Sequence, residues 1–368
     1  MVLIIIILFS ILLYYIQNII FGRLWNKNLN INLQFTTPEI FEGEKGELVE
    51  VIKNCKPIPL PTLHIKFKTS KSLNFVNEKN CITTDYYYKS DVFSIMPNKQ
   101  LKRKLKFIGS KRGYYIIDKF DVLTSNIFLL DTFVETYHNS TYLYVYPRTI
   151  ADKEFQIPIN NMIGEYINKS SVYKDLFSFK GQREYQSYDS MSSINWKSSA
   201  KCNSLIVNQY NNTSSLSAEI ILNTEPTNLN SDILREFSIK IAATICKQLC
   251  DSGINFKVTN NSPDIITSEL VTTPSSCGLN HYKKILKSLA RIDLNSNSID
   301  LTKLLSKKVD ANSLVIIIST NIRDEILNTF KNYKQDNNNV FLIYPCLPNT
   351  KIKYHEKDIF IWEVEDND

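Results

Sequence analysis

The residues best suited to chemistry lie in one short stretch, Asn223-Thr224-Glu225-Pro226-Thr227. A hard divalent cation is held by convergent carboxylate and hydroxyl oxygens in near-octahedral geometry, and Glu225 with Thr224 and Thr227 offers the beginning of such a set. One carboxylate beside an asparagine is thin. The competing reading is a strand-to-helix loop in which Asn230 or Ser231 caps the next helix. No cofactor is therefore expected, and Mg2+ or Mn2+ are the ions the loop would suit. His64, His138, His281 and His355 fall in different elements without a companion at ligand spacing, and they read as surface histidines. Cys246 and Cys250 share a helix face, but with no second pair at zinc spacing they read as small buried hydrophobes. No GxxxxGK-Ser/Thr, GxGxxG or GxSxG motif occurs, so phosphate-cradling and serine-nucleophile chemistry have no foothold. The sequence is expected not to encode an enzyme.

Two further groups of residues bear on binding. Lys102, Arg103, Lys104, Lys106, Lys111 and Arg112 make a basic strand and turn; a solvated sheet face is the plain reading, with lipid phosphates next and nucleic acid last. No nucleic-acid partner is expected. The block Phe179-Lys180-Gly181-Gln182-Arg183-Glu184-Tyr185, continuing through Asp189 to Ile194-Asn195-Trp196-Lys197-Ser198-Ser199-Ala200-Lys201, combines aromatic and charged side chains. Asp189 or Ser190 can cap a short helix there, Ile194 and Trp196 offer apolar surface, and Arg183 and Lys197 suit ion pairs. It names no reaction but makes sense as a structural joint.

The elements that must position these residues fall into four spans. Residues 1–25 form an apolar anchor. Val2 to Phe21 carries no charge and, at about 1.5 Å per residue, is about 30 Å long, enough to cross a bilayer once. A cleaved signal peptide is the alternative, but nothing basic precedes Arg23 and large residues fill the cleavage region. Arg23 and Lys27 flank the anchor's C-terminal end, which predicts a single-pass protein of the cell membrane with its soluble domains in the cytoplasm. The seven irregularly spaced cysteines agree, being unlike a disulfide framework.

Residues 30–148 read as an all-β sandwich of the Ig-like kind. Leu101, Leu105 and Phe107 share one face of a strand with Arg103 while Lys102, Lys104 and Lys106 share the other, and turn residues punctuate the neighbouring runs. Residues 149–209 read as a linker carrying a short helix near 163–169 and the polar-aromatic block. Residues 210–368 alternate strands (216–222, 254–258, 314–319, 340–344, 359–364) with helices (231–250, 278–292, 299–305, 323–331), which predicts a doubly wound α/β sheet. At 368 residues the chain is too long for one ordinary core, and its net charge of +6 is modest.

The block at 181–201 resembles the signature of the family called domain of unknown function 58, membrane proteins often encoded beside MoxR-type AAA+ ATPases. Against the pattern G-x-R-x-Y-x-x-G-D-x-x-R-x-I-x-W-K-x-x-A-R, the sequence places Gly181, Arg183, Tyr185, Asp189, Ile194, Trp196, Lys197 and Ala200 on matching positions, with Tyr188 and Ser192 replacing Gly and Arg and Lys201 for the last Arg. Lys111-Arg112-Gly113, Tyr144-Val145-Tyr146-Pro147 and a degraded D-P-F-G-L-like run at Asn126–Leu130 extend the resemblance. It implies a C-terminal domain like von Willebrand factor A, whose D-x-S-x-S metal motif is here Asn223, Glu225 and Thr227. It also implies a role: a non-enzymatic, membrane-tethered scaffold or adaptor acting with a MoxR-like AAA+ ATPase and other membrane proteins in complex assembly or maturation. A divalent-cation-dependent adhesion or signalling module is the alternative.

Overall fold

A mostly apolar run, uncharged up to Arg23, forms helix α1 (Val2–Leu24), 23 residues with no acidic residue in the first turn and Arg23 in the last. Its stretch Leu3–Leu24 has a mean hydropathy of 2.4, so the helix is long and apolar enough to cross a membrane. The computed structural model describes residues 2–76, 81–83, 86–171, 174–187, 189–212, 216–226, 231–305, 313–336, 339–348, 350 and 358–364. The chain divides into two units, residues 1–148 and 149–368.

Among the described residues of the first unit ten strands follow α1: β1 (Leu29–Phe35), β2 (Glu39–Phe41), β3 (Lys45–Asn54), β4 (Leu60–Ser70), β5 (Leu73–Phe75), β6 (Cys81–Thr83), β7 (Tyr86–Ile95), β8 (Lys99–Gly109), β9 (Gly113–Ser125) and β10 (Thr132–Tyr146). They form a four-stranded sheet, β1-β3-β8-β5, and a six-stranded one, β2-β10-β9-β4-β7-β6. Alternation does the work expected of it. Leu105 and Phe107 of β8 point inward while Lys102, Lys104 and Lys106 lie exposed. Both sheets contribute to one core, in which Leu48, Ile52, Leu60, Leu63, Val122 and Leu143 lose all exposure; each such side chain contributes about 1.5–3 kcal/mol relative to exposure. Gly46 is required by that core: a Cβ there would stand 2.4 Å from the Phe107 ring.

Two cations of the basic strand are paired by its neighbour. β3 and β8 pair antiparallel with Glu50 opposite Arg103. Arg103 reaches the buried Glu50 carboxylate at 3.3 Å, with its guanidinium over the Phe93 ring, and Lys104 reaches Glu47 at 3.2 Å. This opposes a phosphate-binding role for Arg103 and Lys104.

The second unit opens with α2 (Lys153–Ser171), a 19-residue helix, much longer than the short piece expected within the 149–209 linker. Phe155, Ile159, Ile163 and Tyr166 recur at helical spacing and are buried. Phe155 meets the Trp362 ring at 5.1 Å and the Tyr166 hydroxyl donates to Ser217 O at 3.0 Å, so the helix belongs to the α/β core. Next come β11 (Lys174–Glu184), α3 (Trp196–Cys202) and β12 (Ile206–Asn212), with β11 and β12 pairing as a separate two-stranded sheet.

The remaining elements are β13 (Ser217–Asn223), α4 (Ser231–Asp251), β14 (Asn255–Pro263), β15 (Leu270–Thr272), α5 (Leu279–Ala290), α6 (Leu301–Leu305), β16 (Leu314–Ser319), α7 (Asp324–Asp336), β17 (Val340–Cys346) and β18 (Ile359–Glu363). Six strands lie in the order β15-β14-β13-β16-β17-β18. Five run parallel and β15 is antiparallel at the edge. β16 is buried at every position, as a parallel strand covered on both faces must be. Leu301, Leu305, Ile326 and Phe330 of α6 and α7 pack on the face carrying Ile221, Val315, Ile317 and Leu342, while α4 crosses β13, β14, β16 and β17 with α2 and α5 beside it.

Candidate functional site

In a doubly wound sheet the ligand crevice lies at the carboxyl ends of the two strands whose connections leave in opposite directions. Here those strands are β13 and β16, adjacent and parallel. The loop at Asn223, Thr224 and Glu225 follows β13 at that end of the sheet, beside the ends of β16 and β14. Thr227 lies outside the described residues.

Every side-chain polar atom of Asn223, Thr224 and Glu225 is already engaged. The buried Asn223 accepts at Oδ1 from Asn261 Nδ2 (2.6 Å) and Glu225 N (3.1 Å), and its Nδ2 donates to Ser319 Oγ at 3.0 Å. Ser319 Oγ donates to Asn321 O at 2.7 Å. Thr224 N donates to Asn261 Oδ1 at 2.8 Å, and Thr224 Oγ1 lies within 3.1 Å of Asn260 Oδ1, Asn261 Oδ1 and Ser262 Oγ. Glu225, 8 % exposed, accepts Leu301 N on Oε1 at 3.0 Å and Arg323 Nη2 on Oε2 at 3.3 Å. The carboxylate that would attract a cation is thus spent on the first turn of α6 and on an arginine.

Nearby, Asp300 starts the same turn. The Thr302 N–H and hydroxyl on its Oδ1 hold its carboxyl below the usual range. Asn260, Asn261 and Ser262 lie beyond 258, where the sequence predicts the strand to end, while Ser319 and Arg323 fall at the end of one predicted element and the start of another with no local sign of a site. Three consecutive polar residues at the end of a buried parallel strand were the available signal. Among the described residues there is no group of three or more His, Cys, Asp or Glu that could hold a metal ion.

His281 corrects an expectation: it is buried rather than on the surface, its Nε2 2.8 Å from Phe256 O. His355 lies outside the described residues. Cys246 is buried, its thiol pushed up by burial, and Cys55, Cys202, Cys250, Cys277 and Cys346 are likewise free thiols.

The polar-aromatic block forms the connection between β11 and β12. Gly181 and Arg183 lie on β11, opposite Gln209 and Val207. Arg183 clasps Asp189 through two bonds of 2.6 Å each, and Asp189 Oδ2 also accepts Gln186 N at 2.9 Å. Asp189 therefore locks the turn, and Asn195 caps α3, accepting Ser198 N at 3.0 Å. Ser190 caps only the single 3-10 turn Met191–Ser193. Ile194 is buried and bridges to Val207. Ser199 Oγ accepts Ile206 N at 2.8 Å, tying α3 to β12. Tyr185 is half-buried, its N–H on Leu205 O at 2.8 Å. Tyr188 lies outside the described residues. Trp196, Lys197 and Ala200 are exposed, Trp196 at 66 %.

These features define a protein with an N-terminal apolar helix, a two-sheet β unit and a mixed α/β unit. No protein-family model matches the chain, and no curated protein matches it. Among solved structures it is similar to a PapD-like domain of human CEP192 at 16 % identity over 32 % of this chain and 86 % of that one, TM-score 0.22. A CARDB domain from Pyrococcus furiosus aligns at 11 % identity over 32 % and 94 %, TM-score 0.21. A non-cellulosomal cohesin from Archaeoglobus fulgidus aligns at 10 % over 35 % and 97 %, TM-score 0.22. At these scores the likenesses carry no assignment.

Proposed function

We propose that this protein is a non-enzymatic, membrane-tethered adaptor that works with a MoxR-type AAA+ ATPase in assembling or maturing protein complexes. The partner class rests on the resemblance of residues 181–201 to the domain of unknown function 58 family. In this reading the first unit is an Ig-like sandwich, the second is von Willebrand factor A-like, and both are cytoplasmic. One observation carries the adaptor role: the block spends Arg183, Asp189, Ile194, Asn195 and Ser199 on holding its own shape, yet leaves Trp196 66 % exposed beside Lys197. An indole on a braced helix is the kind of side chain that dominates binding energy at protein interfaces. The test is co-purification of the full chain with AAA+ ATPases, using Trp196→Ala and Lys197→Glu. Loss of the ATPase with unchanged melting supports the reading; a wild-type chain that enriches no ATPase under several extraction conditions sinks it.

The second reading, a divalent-cation-dependent adhesion or signalling module, draws on the placement of Asn223 and Glu225 at the β13/β16 crevice. The engagement of Glu225 by Leu301 and Arg323 weighs against it. Calorimetric titration with Mg2+ and Mn2+ separates the two: saturable heat lost on Thr227→Ala supports the cation, and an absence of heat removes it.

A further inference from the structure

We propose that the β9–β10 loop, Ile127-Phe128-Leu129-Leu130, inserts into the lipid bilayer beside the anchor helix, making a second membrane contact within the first unit. The inference rests on α1 lying in a bilayer. Four consecutive apolar side chains on this loop are 51, 54, 60 and 72 % exposed. Such a run on a water-facing turn is an aggregation liability unless something apolar covers it.

The loop is built to present those side chains. Asn126, fully buried, accepts Leu129 N on its carbonyl oxygen at 3.0 Å and Leu130 N on Oδ1 at 2.9 Å, while its own N–H donates to Asp131 O at 3.0 Å. Leu129 adopts a φ of +61°, which a leucine seldom takes, and this sharp turn directs the apolar residues outward. The Leu129 and Leu130 N–H groups are thus satisfied from within, which lowers the cost of bringing this non-helical chain into hydrocarbon.

What identifies lipid as the occupant is continuity with α1. Tyr14, Gln17, Asn18 and Phe21 share one helical face, continued by Trp25 just past the helix end, and that face packs on the β9–β10 hairpin. Phe133 meets Phe21 and Trp25 at 5.7 and 6.3 Å, and Gly22 leaves room for the same ring. Asn18 Oδ1 accepts Asn126 Nδ2 at 3.4 Å, Tyr14 donates to Asp131, and the Tyr14 and Phe128 rings lie 5.9 Å apart. Gln17 and Asn18 therefore face protein, as polar groups in a span do, while Ser10 bonds to Ile7 O within the helix. Tyr14 lies about 10 Å along the axis from Phe21. A span needs about 20 residues, so residues 2–21 must all be immersed. If only residues 2–13 were immersed, the segment would be about 18 Å long and could not cross. The loop that touches Tyr14 and Asn18 is then at acyl-chain depth.

The test is photolabelling of the wild-type full chain in phosphatidylcholine–phosphatidylglycerol vesicles with a phospholipid carrying a diazirine in its acyl chain, mapped by mass spectrometry. Adducts on both α1 and Ile127–Leu130 are expected. Adducts on α1 alone overturn the insertion while leaving the anchor intact; adducts on neither overturn both. A second measurement uses an environment-sensitive dye on Leu130→Cys, Leu8→Cys and Lys111→Cys, with Cys55, Cys81, Cys202 and Cys277 replaced by serine. Lys111 precedes β9 at the end away from the loop, about 40 Å from the tip. A Leu130 probe quenched by bromolipid as strongly as the Leu8 probe supports insertion, and one that behaves like the Lys111 probe overturns it.

Discussion

Glu225 is pinned from two sides, with Arg323 Nη2 3.3 Å from Oε2 and the Leu301 N–H 3.0 Å from Oε1. The two contacts differ in kind. Leu301 is fully buried, so losing its acceptor leaves an orphan donor, whereas the Arg323 side chain is 62 % exposed and screened by water. Glu225→Ala should therefore cost about 1–3 kcal/mol. Arg323→Ala should cost less than about 1 kcal/mol. Glu225→Gln, which keeps a carbonyl oxygen for Leu301, should resemble Arg323→Ala. Denaturant unfolding of the three variants checks the order, and equal losses for Arg323→Ala and Glu225→Ala would show that the ion pair dominates.

Asn223 tests whether the crevice tolerates a carboxylate. Its Nδ2 donates to Ser319 Oγ, whose proton is directed to Asn321 O. Asn223→Asp removes that donor and buries a negative charge beside Glu225, so a loss of at least about 2 kcal/mol is expected in chelator-treated buffer. On the adaptor reading, millimolar Mg2+ leaves the loss unchanged. Recovery of the melting temperature with Mg2+ would revive the cation reading.

The parts legible in the sequence were those where one force acts alone. β16 reads as Leu-Val-Ile-Ile-Ile-Ser because both its faces are buried, and β8 alternates because only one is. α2 is longer than its sequence pattern predicts, because Pro158 and polar residues dilute that pattern, although Phe155, Ile159, Ile163 and Tyr166 carry the helical stripe. β14 was cut short because Asn260, Asn261 and Ser262 are poor strand formers held by tertiary hydrogen bonds. The loop at Asn223–Glu225 was found from its residue types, but its state was not: Arg323 lies 98 positions from Glu225, and no local pattern reports that distance. Gln17 and Asn18 interrupt the apolar anchor for a reason no local pattern reports, since the hairpin they face is more than 100 residues away.

Arg183 and Asp189 bear on the β11–β12 connection. The side chains are 32 and 9 % exposed and joined by a forked pair, which a lysine cannot reproduce. Asp189→Ala should cost about 1–3 kcal/mol. Because the pair braces a two-stranded element outside the main sheet, the change should surface as faster amide exchange in residues 183–195 before it lowers the main transition. Arg183→Lys should show the same pattern at roughly half the size. Hydrogen-exchange mass spectrometry resolves it, and uniform loss of protection across the α/β unit would contradict the local role.

Lys56 gives a pH dependence of definite sign. It is 4 % exposed and donates from Nζ to Trp25 O, and burial pushes its ammonium down from 10.5 to about 8. Below about pH 8 both the folded and the unfolded chain hold the proton, and folding carries the full cost of burying the charge. Between about 8 and 10.5 only the unfolded chain holds it, so this contribution to stability rises with pH across that window. Lys56→Met abolishes the titration while filling similar space. Whatever offset the lost hydrogen bond introduces, the stability of wild type relative to Lys56→Met should increase between pH 7 and 10, by at most about 3 kcal/mol. Paired melts at the two pH values measure it. A difference that stays constant, or moves toward the variant, would mean that the ammonium is solvated and that Trp25 O is not what holds it in place.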